Sequence, residues 1–135
     1  MKSFTELEVW QKAHRLFLDL TVDVEKYPST RAAKIISDQI LRSSGSVSAN
    51  ISEGFNTAST KEYVNYLDIA RRSTAETENW LYKIRDLNYL DNLSSECRIS
   101  TCTDISKMIC GLRKSLKSKI QQNKDLIPII KSQIP

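Results

Sequence analysis

STKEYVNYLDIARRSTAETENWLYKIRDL, residues 59–87, decides the fold. Tyr63, Tyr66, Ala70, Ser73, Thr77, Trp80, Ile84 and Leu87 recur at alternating steps of three and four, the period of a helix face and not of a strand. Leu67, Thr74 and Leu81 flank that line. Ser59 with Glu62 three residues later reads as the capping box that opens the helix.

Working outward, three more segments carry the same period. Leu7, Trp10, Phe17 and Val24, widened by Val9, Ala13, Leu16 and Leu20, predict a helix over about Thr5–Lys26. Tyr27-Pro28 ends it, because the residue before proline is pushed out of the α region. Ser29 or Thr30 can cap the next helix, whose apolar line passes through Ile36, Ile40, Val47 and Ile51, with Gly54 placed to stop it. The last segment, about Ser95 to Asn123, runs through Ile99, Cys102, Ile105, Ile109, Leu112, Leu116 and Ile120. Four such helices joined by short loops predict an all-α, antiparallel up-down four-helix bundle over residues 1–124. Residues 125–135, DLIPIIKSQIP, read as a separate C-terminal tail.

Within the second helix, SVSANISEGF (46–55) is unusual. With Ser43 and Ser44, its small side chains cost helix propensity, so a tertiary gain is expected: a close seam with an aromatic-rich neighbour (Trp10, Trp80, Tyr63, Tyr66). Ser48 and Ala49 are expected in that seam, where leucine would overpack. Gln39, Arg42, Asn50 and Glu53 share the helix, and Glu76 belongs to the third. Buried polar groups must be paired, so this set predicts an internal hydrogen-bond network or a subunit interface.

Composition bounds the function. The 135 residues carry a net charge of +4, but unevenly: the chain from Arg98 onward is +6 and the first 97 residues are −2. Arg113, Lys114, Lys117, Lys119 and Lys124 are therefore the candidate residues for a polyanion. No apolar run reaches the roughly 18 residues a membrane span needs. MKSFTELEVW carries acids where a leader is basic and then apolar, so a cytoplasmic location and no membrane partner are expected. Cys97, Cys102 and Cys110 form no CxxC pair and read as reduced thiols. A di-iron bundle needs Glu-x-x-His on two helices, whereas His14 is the sole histidine. GFNTAS lacks the second glycine and the lysine of a phosphate loop. No enzyme, catalytic residue, metal, cofactor or small-molecule substrate is expected.

Several stretches together resemble a known family. FTELEVWQKAHRL (4–16), YP (27–28), DQILRSSGSVSANISEGF (38–55) and YLDIARRSTAETENWL (66–81) are similar to the bacterial four-helix-bundle proteins encoded in intervening sequences of 23S ribosomal RNA genes. The family pattern falls on Leu7, Val9, Trp10 and Ala13, then on Gln39, Ile40, Arg42, Asn50, Ile51, Glu53 and Gly54, then on Ala70, Ser73 and Glu76. This chain departs from it with the uncharged run Phe55, Asn56, Thr57 and Ala58 and with Arg72 in place of a glycine.

The resemblance implies a four-helix bundle assembling as a homopentamer, with the polar motif Gln39, Arg42, Asn50, Glu53, Gly54, Ser73 and Glu76 serving helix packing or assembly. It also extends to the accessory variability determinant (Avd) proteins of diversity-generating retroelements, which bind a reverse transcriptase and template RNA. Three functions follow: a non-enzymatic, oligomeric, RNA- or nucleoprotein-associated bundle; the retroelement accessory role; and a purely structural interaction module.

Overall fold

A computed structural model describes the backbone of residues 1–133 and the side chains of residues 1–124. Four helices follow in order: α1 (Glu8–Asp23), α2 (Arg31–Phe55), α3 (Thr60–Asp86) and α4 (Asn92–Gln133). Each packs on its neighbour in sequence, and α4 returns to pack on α1, closing an all-α four-helix bundle. The expected tail, residues 125–135, lies outside the residues whose side chains are described.

The first segment is less continuous than its period predicts. A 3-10 turn at Phe4–Glu6, capped by Ser3, precedes α1, and a second at Val24–Lys26 follows it. Leu7 is extended between turn and helix, and Gln11 Nε2 donates to the Thr5 carbonyl at 2.8 Å across that junction. Tyr27 is extended (φ −72°, ψ 155°), as the following proline requires.

The caps form where side-chain oxygens were available. Thr30 Oγ1 accepts from Ala33 N at 3.1 Å, and Ser59 Oγ from Glu62 N at 3.1 Å. α3 ends in a Schellman turn: Tyr89 N donates to Ile84 O and Asn88 N to Arg85 O, both at 3.0 Å. Asn88, with φ 59°, supplies the left-handed residue. Asparagine, not glycine, makes that stop.

The core runs through Leu16 and Leu20 of α1, Ile40 and Ile51 of α2, Leu67 and Leu81 of α3, and Ile105 and Ile109 of α4. In α1 the buried line sits beside the one that the strict three-four spacing marks, and in α3 that line is buried only at Ala70, Thr77 and Ile84. Trp10, Tyr63, Tyr66, Ser73 and Trp80 are half-buried at the border, while Ala13, Leu16, Leu67, Thr74 and Leu81 fill the centre. Amphipathic rings favour such borders, where one edge packs and the polar tip keeps a partner.

Gly54 corrects an expectation. The helix continues through it to Phe55 with no positive φ, so it is not a stop signal. A β-carbon there would lie 2.9 Å from both Tyr63 Cδ1 and Tyr66 Cβ. Glycine is present because α3 passes too close for anything larger. The rest of the seam is a ladder of hydroxyls: Thr77 Oγ1 lies 2.9 Å from Ser43 Oγ across the interface and 2.9 Å from the Ser73 carbonyl on its own helix. The Ser46 and Ser73 hydroxyls meet at 3.0 Å.

Ser48 and Ala49 do not join this seam. Ala49 is exposed and Ser48 turns back to the Gly45 carbonyl at 3.4 Å, because the helix period points Ser43, Val47 and Gly54 inward and carries Ala49 to the far side.

One ionic tie escaped the sequence. Asp23, 2 % exposed at the end of α1, accepts from Arg98 of α4 through both carboxylate oxygens, at 2.8 and 3.2 Å. Asp19 adds a contact to Arg98 at 3.4 Å. Beside them the Tyr27 hydroxyl is buried with no hydrogen-bond partner among the described residues. Burial, and then the Asp23 charge, push its pKa well above the tyrosine range.

Candidate nucleic-acid interface and polar seam

The polar motif resolves into two groups on the α2–α3 seam. In the first, the Arg42 guanidinium donates to the Glu76 carboxylate and to Gln39 Oε1, the latter at 3.2 and 2.9 Å. Trp80 Nε1 donates to the same Glu76 oxygen at 3.1 Å. In the second, Asn50 Nδ2 donates to the carbonyl and hydroxyl of Ser46 at 2.7 and 2.9 Å, and Ser46 reaches Ser73. Glu53 stands apart, exposed and without a hydrogen bond or ion pair among the described residues. Of these contacts, Arg42–Glu76 and Ser46–Ser73 cross from α2 to α3 within a single chain. Arg42 remains 57 % exposed, so its pair adds little stability while lying open along the bundle's outside.

The basic candidates divide by environment. Arg113 is only 19 % exposed, and its terminal nitrogen contacts Asp68 of α3 at 2.7 Å. Lys114, Lys117, Lys119 and Lys124 are all exposed, with no ion pair among the described residues. From Ile105 to Lys124 the chain holds six basic residues and no acid, so no acid within that stretch neutralises them. At 3.6 residues per turn, Lys107, Lys114, Lys117 and Lys124 fall within an arc of about 100°. That arc faces away from Ile105, Ile109 and Leu116, which point into the core. Lys119 stands off it, on the flank toward Leu112.

Other features are less selective. A surface groove of about 740 Å³ at the α1–α2 turn mixes Glu25 and Asp38 with Arg31 and Lys34, so it favours neither charge. His14 stacks on Trp10 with ring centroids 4.7 Å apart. Among the described residues no group of three or more His, Cys, Asp or Glu side chains is arranged to hold a metal ion, and no helix is long and apolar enough to cross a membrane. Cys102 is buried, and that burial raises its pKa to about 12 with a smaller push from Glu78. Cys97 and Cys110 are exposed.

Comparison with known proteins returns one family and one fold. A sequence profile described as "23S rRNA-intervening sequence protein" matches residues 5–111. Among solved structures, the chain is similar to a protein with unknown function from the S23 ribosomal protein family of Bacteroides thetaiotaomicron VPI-5482. The TM-score is 0.73 at 27 % identity, covering 78 % of this chain and 98 % of that one. No curated protein matches. The profile match ends before Arg113, so the lysines from Lys114 to Lys124 are features of this chain beyond the matched span.

Proposed function

The chain belongs to the 23S rRNA-intervening sequence protein family, and from that premise we propose that it is a non-enzymatic, oligomeric bundle that associates with RNA through α4. The observation that carries this reading is the acid-free stretch Ile105–Lys124, with Lys114, Lys117 and Lys124 exposed on its outer side and without an ion pair among the described residues. Lysines that neutralise phosphates release condensed counterions, which gives affinity without base readout. Arg113 has a different part here: it fastens α4 to Asp68.

Self-association multiplies that effect, since each copy adds a formal charge of +4. The family resemblance suggests a pentamer. Apolar surface available for assembly includes Leu18, Val22 and Ile35, which are 40 %, 60 % and 50 % exposed.

A titration of the purified protein with structured RNA at rising salt tests the reading, with mass in solution measured in parallel. Binding that weakens steeply with salt is expected, together with a mass above one chain. No binding even at low salt would reject the RNA role, and a monomer would reject the assembly. A retroelement accessory protein would also need a reverse transcriptase gene beside its own, a question of gene neighbourhood.

A further inference from the structure

The same helix points to which form of RNA is bound, an inference that rests on the reading above. All ten aromatic Phe, Trp and Tyr residues precede Leu90, and α4 contains none. Single-stranded nucleic acids are held chiefly by stacking bases on aromatic rings, each worth about 1–3 kcal/mol. This face has no ring to offer.

Its surface between the cations is instead low and polar. Cys110 is exposed between the lysines on the arc, and Ser118 and Gly111 lie at its edge, where Gly111 has open space in place of a β-carbon. Small side chains at Cys110, Gly111 and Ser118 let a sugar-phosphate backbone approach the helix beside the lysines. Lys107 and Lys124 are separated by about 25 Å of helix axis, long enough to follow a run of phosphates. The Ser118 hydroxyl donates to the Lys114 carbonyl at 3.1 Å, which leaves its oxygen outward as an acceptor. A ribose 2′-hydroxyl can donate to that oxygen, and deoxyribose has no such group.

We infer that the outer face of α4, built on Lys107, Lys114, Lys117, Ser118 and Lys124, docks on the backbone of double-stranded RNA. Base identity is not read. The face recognises a regular, stiff array of phosphates and 2′-hydroxyls.

The test compares three probes of equal length at matched salt: a duplex RNA, an oligouridine single strand and a duplex DNA. Duplex RNA should bind at least about tenfold tighter than the single strand, which gains no stacking here. The plot of log affinity against log salt should have a slope of about −3.6 per engaged bundle, from four lysines at roughly 0.9 each. The triple variant Lys114→Glu, Lys117→Glu, Lys124→Glu should lose that binding, with its helical circular dichroism checked to keep folding separate. Equal or tighter binding of oligouridine or of duplex DNA would overturn the inference and leave RNA association standing. If all three probes failed to bind at low salt, the RNA reading itself would fall. A folded triple variant that still bound duplex RNA at full strength would remove α4 as the site.

Discussion

Gly54 of α2 and Tyr66 of α3 approach so closely that a β-carbon on the glycine would stand 2.9 Å from the β-carbon of the tyrosine. The contact atom on Tyr66 is fixed to the helix backbone and cannot swing away. Alanine is the better helix former by about 1 kcal/mol, yet Gly54→Ala must push α2 and α3 apart. The expected outcome is a net loss of about 1–3 kcal/mol, measured as a lower midpoint in denaturant unfolding. A stability gain would show that the seam yields more easily than its geometry implies.

Asp23 and Arg98 make a second strong prediction. Asp23→Ala leaves a largely buried guanidinium with only the distant Asp19 contact, and should cost about 3–5 kcal/mol. Replacing both at once, Asp23→Leu with Arg98→Met, should recover most of that loss, since a buried pair often exchanges for apolar residues without penalty. Comparing the single and double variants by thermal unfolding separates the tie from its two members.

The unpartnered Tyr27 hydroxyl predicts the opposite sign. Tyr27→Phe removes a buried polar atom that satisfies nothing, so stability should hold or rise. At high pH the difference should grow. The folded state keeps Tyr27 protonated while the unfolded chain ionises near pH 10, so the wild type binds more protons folded than unfolded and loses stability as pH climbs past about 10. Unfolding curves at neutral and alkaline pH should show a gentler decline for the variant.

Arg113 and Lys114 are adjacent in sequence and divided in role. Arg113→Gln should weaken the bundle, because it breaks the contact to Asp68, and should change RNA affinity little. Lys114→Gln should leave the unfolding midpoint within about 0.5 kcal/mol and lower the salt slope of RNA binding by about 1. Parallel unfolding and binding curves for the two variants decide it.

Much of the fold was legible because its signals are local. The apolar line of α4 is buried at Ile99, Cys102, Ile105, Ile109 and Leu116, with Leu112 and Ile120 beside it, and Thr30 and Ser59 cap where their side chains allow. What stayed hidden depends on residues far away in sequence. Gly54 reads equally as a helix stop or a close contact until Tyr63 and Tyr66 are placed against it. Asp23 and Arg98 lie 75 positions apart, and nothing beside either marks it as half of a buried pair. Arg113 looks like its neighbouring lysines until Asp68 arrives from another helix. The strict heptad of α3 identified a helix and its buried Ala70, Thr77 and Ile84, but Tyr63, Tyr66 and Trp80 of the same line settle at the rim, since tyrosine and tryptophan count as apolar yet keep a polar edge.

The confinement of every ring to the first three helices and the turns around them governs how this molecule can be watched. Trp10 and Trp80 will report melting through their emission, yet neither lies on the face proposed to meet RNA, so docking there should pass almost unseen in intrinsic fluorescence. Cys110 offers a window in its place: exposed among those lysines, it accepts a thiol-directed dye.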